Sequence, residues 1–302
     1  MPAELRIANP FDAAEARDAE DCDLVTQALS GDRGSLEALV QRHQPWIYNV
    51  AFRMVMVPQD AEDVTQEVLI KVLTKLSTFD RTQAAFRTWL YRIVANHVIN
   101  MRQRGYEAAI NRIEDYYSFV TQVPDQEPDS SPETQLAVTD IRNACVMGVF
   151  LCLERQQRLA FVLTVAFDVT DAQGSEILGI TRAAFRQVLS RARVRLHEYV
   201  QGNCGVLNPA APCRCAKKAR HFMREGVYDA RRGMFVQQDA PRLADVVGDK
   251  LQRFDSEIYA EYARVVRDQP LFRPPERTAW LRDLTQRPEF RQIFDLDRAG
   301  QG

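Results

Sequence analysis

In PQDAEDVTQEVLIKV, Asp63 and Glu67 stand one helical turn apart, with Glu62 and Gln66 on an adjoining line and Asp60 ahead of them. Paired carboxylates can perform acid–base or metal chemistry, yet no histidine or third ligand recurs beside these. Acids also suit a helix N-terminus, where the peptide dipole favours negative charge. As surface groups they are poor phosphate ligands and good complements to arginines on a partner. Catalysis, ordinary solvation and docking to a basic protein surface all remain open from this stretch by itself.

Two further stretches carry nucleic-acid chemistry. In FRTWLYRIVANHVINMRQR, Arg92, Asn96 and Asn100 share a helical face, and Arg102 and Arg104 follow; Phe79, Asp80, Arg81 and Gln83 lie in the preceding loop. Amides read exposed base edges, while guanidinium groups hold phosphates or stack on bases, which suits single strands better than an intact major groove. Asn96 and His97 read equally well as plain surface polar residues. In EILGITRAAFRQVLSRARVRL, Phe185, Val188, Leu189 and Ala192 face inward, whereas Arg182, Arg186, Gln187, Ser190, Arg191 and Arg193 face outward. A solvated amphipathic helix would show the same pattern. A helix, a glycine turn and a basic second helix together point to a duplex DNA reader, with RNA or protein recognition as the other use.

The fourth group is Cys204, Cys213, Cys215 and His221, soft ligands of the kind that hold tetrahedral zinc. A paired CxxC motif is missing, and Lys217, Lys218 and Arg220 follow closely. A structural zinc, a thiol redox switch and a structural or DNA-contact loop are the three readings. No cofactor is otherwise required.

The elements that must position these groups are helical throughout. Leu36, Leu39 and Val40 continue into Trp46, Ile47, Val50 and Ala51 at spacings of three and four. Ser30 and Ser35 offer helix starts and Pro45 a kink or boundary. Phe86, Trp89, Leu90, Ile93, Val94, Val98 and Met101 trace another buried stripe, and Leu243, Val247, Leu251, Phe254, Ile258, Tyr262 and Val265 a third. Asp171 and Thr181 are candidate caps for the helices on either side of Gly179, which sits where a left-handed residue is needed. Nothing suggests a sheet.

The length of 302 residues allows two or three domains. A net charge of −2 excludes a uniformly basic coat but not local basic faces. Residues 105–140 hold eight acids and one base, whereas 176–195 hold five bases and one acid and 213–224 five bases alone. That alternation marks an acidic spacer followed by two basic elements. No apolar run approaches the roughly 18 residues of a membrane span, and the N-terminus lacks a signal pattern. A cytoplasmic, nucleoid-associated protein without membrane insertion is expected. No Gly-rich phosphate loop with a lysine occurs, and the polar groups lie in separate helical segments, so a non-catalytic protein is expected.

DAEDVTQEVLIKVLTKLSTFD, FRTWLYRIVANHVINMRQR and ERQQRLAFVLTVAFDVTDAQGSEILGITRAAFRQVLSRARVRL, in this order, resemble the bacterial RNA polymerase sigma factors of the extracytoplasmic-function group within the sigma-70 superfamily. The resemblance spans approximately residues 23–200. It implies an all-α fold: a mobile arm over 1–20, a promoter-melting and polymerase-docking domain over 21–105, an acidic flexible linker over 106–133 and a helix-turn-helix domain over 134–200. A Cys-containing, mostly helical extension occupies 201–302. The implied partners are core RNA polymerase, above all the clamp of its largest catalytic subunit, promoter DNA as duplex and as opened non-template strand, and a protein regulator.

Carried over by position, Asp60, Glu62, Asp63, Gln66 and Glu67 would meet the clamp. Phe79, Asp80, Arg81 and Gln83 would receive an unstacked base, with Arg92, Asn96 and Asn100 beside it. Arg182, Arg186, Gln187 and Ser190 would contact the duplex, with Arg191 and Arg193 on phosphates. A stand-alone helix-turn-helix regulator and a thiol- or metal-responsive DNA-binding sensor are the alternatives. The sequence departs from the family at Asn100, often an aspartate, at Leu153-Glu154, usually Leu-Pro, and at Val188, often basic. Gly174 replaces a common core isoleucine, which predicts packing weaker by about 1–3 kcal/mol. The extension is expected to pack on the second domain, to add a polymerase or promoter contact, or to cover the acidic docking face.

Overall fold

The computed structural model describes residues 9–11, 14–103, 107–108, 113–127, 131–225, 228, 242, 245, 257–275 and 278–288. Every regular element among them is helical. The first cluster comprises α1 (Ala14–Leu29), α2 (Arg33–Val55), α3 (Pro58–Lys75) and α4 (Phe86–Asn100). Neither Ser30 nor Ser35 starts α2. Asp32 does, its carboxylate accepting from the backbone N–H groups of Gly34 at 3.1 Å and Ser35 at 3.0 Å. Pro45 lies inside α2 rather than at a boundary. An interior proline costs about 3 kcal/mol, but Trp46, Ile47, Val50, Ala51 and Met54 are all buried, at about 1.5–3 kcal/mol for each large side chain. Packing therefore carries the helix through.

Met56, in the left-handed region at φ 61°, ends α2, and Pro58 starts α3 where its missing N–H costs nothing. Buried Asp21 binds α1 to its neighbours: Arg42 lies 2.7 Å away, Arg87 2.9 Å and His43 3.3 Å. Burial raises its pKa, but His43 and Arg87 outweigh that and hold it at about 2.

The second cluster comprises α6 (Pro132–Leu151), α7 (Arg155–Phe167), α8 (Asp171–Leu178) and α9 (Arg182–Asn203). Thr170, not Asp171, caps α8, through a capping box with Gln173. Gly179 follows at φ 66°, and Thr181 caps α9 by accepting from the Ala184 N–H at 3.1 Å. The expectation that Gly174 loosens this packing is overturned. A Cβ built there would lie 2.3 Å from Phe185 Cζ, so the phenyl ring already fills the space an isoleucine would take.

Glu154 begins α7 without a side-chain cap, standing in for the family proline. Arg155 and Arg158 of α7 then tie the clusters together. Arg155 makes a two-pronged pair with buried Glu107 at 2.8 and 2.6 Å. Fully buried Arg158 donates to Glu107 and to the carbonyls of Met54, Phe150, Leu151 and Leu153. It thereby ends α2 and α6 at once, a cation serving orphan carbonyls.

Within the segment read as a linker, Ile113–Gln122 forms α5, and Tyr116 is buried, donating to the Cys145 carbonyl at 3.2 Å. Beyond α9, the extension contributes α10 (Cys215–Arg224), α11 (Glu257–Arg267) and α12 (Thr278–Gln286). The hydroxyl of Tyr262 in α11 donates to the Val146 carbonyl at 2.8 Å, and Arg267 donates to the Val165 carbonyl at 2.9 Å. The core is continuous from Cys22 to Leu284. Of the third sequence stripe, Tyr262 and Val265 are buried on α11; Leu243, Val247, Leu251 and Phe254, and the side chain of Ile258, lie outside the described residues, as do Arg104 and residues 1–8 of the N-terminal arm.

Candidate polymerase and nucleic-acid interface

α3 buries Ala61, Val64, Val68, Leu69 and Val72 against the core. That phase turns Asp63 outward and leaves Asp60, Glu62, Gln66 and Glu67 half-buried at its flanks. The five predicted docking residues thus share one side of α3. They are not equivalent: Glu67 lies 3.4 Å from Nε2 of buried His97 on α4, whose Nδ1 is 2.6 Å from Lys71 Nζ. Glu62 and Gln66 line a pocket with Tyr48.

The loop from Phe79 to Gln83 follows a short 3-10 turn over Leu76–Thr78. Asp80 organises it by accepting from the Thr82 N–H at 2.9 Å, the Thr82 hydroxyl at 2.7 Å and the Gln83 amide at 3.0 Å. The Thr82 bonds, the hydroxyl's foremost, hold the Asp80 carboxyl below its usual range. Phe79 packs edge-on against Phe86 at 5.3 Å and tilts against Trp89 at 5.7 Å, so its ring supports the loop from beneath. Arg81 and Gln83 are exposed.

On α4, Arg92, Asn96 and Asn100 are exposed on one face, as their spacing predicts. Arg92 donates to the Glu176 carbonyl through Nε at 3.2 Å and Nη2 at 2.9 Å. A cation thereby meets the carbonyl-rich end of α8, and the first cluster is clipped to the second through a group predicted to touch DNA. Asn100 donates one turn back, to the Asn96 carbonyl, at 2.9 Å.

On α9, Phe185, Leu189 and Ala192 are buried and Val188 is half-buried. Arg182, Arg186, Gln187, Ser190 and Arg191 are exposed, whereas Arg193 is half-buried. Asp171 holds Arg186, with Nε at 2.6 Å and Nη2 at 2.5 Å; the pair lowers the Asp171 pKa. The outward face is therefore a row of donors with one guanidinium steered from α8.

The zinc reading is corrected. Among the described residues no group of three or more His, Cys, Asp or Glu side chains is placed to hold a metal ion. Cys204 and Cys213 instead meet as an isolated parallel bridge through their backbones, and the His221 ring faces its neighbour Phe222 at 6.2 Å. Burial raises the Cys213 thiol and pushes Cys215 up to about 12. The basic residues beside them serve the acidic spacer. Lys218 pairs with Asp125 at 2.8 Å and donates to the Val123 carbonyl, and Arg220 donates to the Glu127 carbonyl at 3.2 Å.

The pattern reading passed over Asn49 and Arg53, polar residues one turn apart inside the apolar run WIYNVAFRMV. Asn49 exchanges two hydrogen bonds with the Phe272 backbone, at 2.8 and 3.0 Å. Arg53 lies over the rings of Phe167 and Phe272 at 5.8 and 5.4 Å, and its burial lowers its pKa to about 9. Their signal was the polar break itself, which a stripe of apolar positions steps across.

Sequence comparison bears on the same elements. The sigma-70 region 2 family matches residues 39–106, from within α2 to just past α4. The chain is 26% identical over 176 residues to the ECF RNA polymerase sigma factor SigM of Mycobacterium tuberculosis, covering 58% of this chain and 82% of that one. It is 27% identical over 164 residues to the RNA polymerase sigma factor YlaC of Bacillus subtilis, covering 54% and 91%. It is 28% identical over 183 residues to the RNA polymerase sigma factor CnrH of Cupriavidus metallidurans, covering 59% and 93%. No described helix is long and apolar enough to cross a membrane. Over the span that holds α3, α4 and α9, the chain is therefore similar to sigma-70-type sigma factors of the extracytoplasmic-function group, and it carries extra C-terminal sequence beyond that match.

Proposed function

We propose that this chain acts as a sigma factor: it docks on core RNA polymerase through the outward side of α3, centred on Asp63, and there directs promoter recognition and strand opening. The carrying observation is that the region 2 match spans both α3 and α4, which supports reading the acidic side and the Arg92–Asn96–Asn100 face as parts of one functional unit. Negative charges at such a surface speed encounter with a basic clamp and fix its register. The chain contributes no catalytic group; phosphoryl transfer belongs to the polymerase.

Residues 134–200 act in this reading as the helix-turn-helix domain. α9 enters the duplex with Arg182, Arg186, Gln187 and Ser190 forward and Arg191 and Arg193 toward phosphates, and the phosphate contacts make affinity fall with salt. Arg81, Gln83, Asn96 and Asn100 hold the opened non-template strand, and capture of an extruded base offsets its unstacking. Arg92 joins them once it leaves the Glu176 carbonyl, so promoter engagement separates α4 from α8.

Run-off transcription with a bacterial core polymerase tests this. The expected result is initiation at discrete start sites that requires the chain and is lost in Asp63→Lys. Promoter-duplex binding that is unaffected by polymerase, without any change in initiation, would instead favour a stand-alone regulator.

A further inference from the structure

The extension reaches one edge of the surface that α3 offers. Residues 270–275 run along α2, held at Asn49 by the paired bonds to Phe272 and at Gln44, whose side-chain amide donates to the Pro275 carbonyl at 2.9 Å. Phe272 packs on Phe52 with ring centroids 4.2 Å apart. Pro274 and Pro275 have no N–H to satisfy and a fixed φ, so this strap can lie flat on a helix without leaving donors unmet.

Pro274 and Pro275 of the strap and Trp280 of α12 close a pocket whose other wall includes Tyr48, Glu62 and Gln66. Two of the five proposed docking residues therefore face the chain's own C-terminal segment. Burial, and after it the charge of Glu62, pushes the Tyr48 phenol up to about 12, as a carboxylate at the edge of a covered pocket would. Arg282 of α12 reaches Glu37 of α2 at 3.3 Å, so the cover adds a cation where the docking surface is acidic.

We infer that Pro274, Pro275 and residues 278–284 cover part of the polymerase-docking surface in the free chain, and that polymerase binds by displacing them. The inference rests on the docking reading of α3. The deep anchors stay in place when this happens: Leu271 and Phe272 are in the core, whereas Trp280 is half-buried at the rim. Lifting α12 withdraws Leu281 and Leu284 from the shared core and exposes Glu62 and Gln66, while Phe272 keeps its seat on α2. Because apparent affinity scales with the fraction of chains whose surface is open, loosening the cover tightens polymerase binding.

The test measures binding of the full chain to a bacterial core polymerase, with circular dichroism as the folding check. Trp280→Ala is expected to bind about tenfold tighter than the parent, and Asp63→Lys in the same background to lose that binding. Affinity in Trp280→Ala equal to or weaker than the parent, with Asp63→Lys still abolishing binding, overturns the cover while leaving the docking surface intact. Asp63→Lys without effect in either background overturns the docking reading itself. Hydrogen exchange on the unmodified chain gives a second measurement that no variant can confound. Saturating polymerase should speed exchange over 278–284 and slow it over 58–75; protection over 58–75 with 278–284 unchanged rules out displacement.

Discussion

Restoring the family isoleucine at position 174 should destabilise this chain, although the residue is apolar and the site is buried. A Cβ at Gly174 would sit 2.3 Å from Cζ, 2.5 Å from Cε2 and 3.0 Å from Cε1 of Phe185. The ring cannot swing away cheaply, because Phe185 is 0% exposed and belongs to the shared core. Overpacking of this kind costs about 1–3 kcal/mol, against a gain of about 1 kcal/mol in helix propensity on leaving glycine. Gly174→Ala should therefore lose about 1 kcal/mol and Gly174→Ile about 2–3 kcal/mol.

The alternative, in which Gly174 leaves a gap, predicts the opposite sign, a gain of about 1.5–3 kcal/mol for a buried isoleucine. Denaturant unfolding of Gly174→Ile, Phe185→Ala and the double variant closes a cycle. Phe185→Ala alone should cost about 3–5 kcal/mol. In the double variant the isoleucine should recover part of that, giving a coupling of about 1–3 kcal/mol. A stabilised Gly174→Ile, or two changes that simply add, would refute the ring-for-isoleucine exchange.

Other consequences follow from buried charge and backbone geometry. Asp21, held at about 2 against an ordinary 3.8, adds stability at neutral pH that falls away as pH drops from about 4 toward 2. The contribution is about 2 kcal/mol, of which about 1 kcal/mol is gone by pH 3. The stability gap between the parent and Asp21→Asn should narrow by that amount between pH 6 and pH 3; a constant gap contradicts it. Glu107→Ala strands Arg155 and Arg158 and should cost about 3–5 kcal/mol in urea unfolding, with a loss under 1 kcal/mol counting against the junction. Gly179→Ala forces a side chain to φ 66° and should lower stability by about 1–2 kcal/mol, read from the midpoint of thermal unfolding. Arg186→Ala should weaken promoter-duplex binding; if the contact is to phosphate, the loss is uniform across sequences and the salt slope falls by about one.

Much of this was legible in the chain because it is local. The turn at Gly179, the Thr181 cap and the inward phase of Phe185, Leu189 and Ala192 depend on residues a few positions apart, and α3 and α4 announce themselves by period. Where caps compete the sequence was ambiguous: Asp32 and Thr170 won over nearby Ser35 and Asp171 through the N–H groups their side chains reached. The rest is set by contacts far apart in sequence. Asn49 meets Phe272 across 223 positions and Gln44 meets Pro275 across 231, so nothing near α2 shows what covers it. Gly174 looked like a loss because the ring that replaces the missing side chain sits eleven residues on, at Phe185, in the next helix. The late cysteines invited a metal by type and spacing, but Cys204 and Cys213 meet through a backbone bridge instead.

Strand opening is the activity most directly at stake, and permanganate reactivity of promoter thymines measures it. With core polymerase and the folded chain together, non-template thymines upstream of the start site should become reactive, and either component alone, or Asp63→Lys with polymerase, should leave them paired. A chain that binds polymerase and promoter yet leaves every thymine protected would contradict the claim that α3 and α4 act as one docking and melting unit.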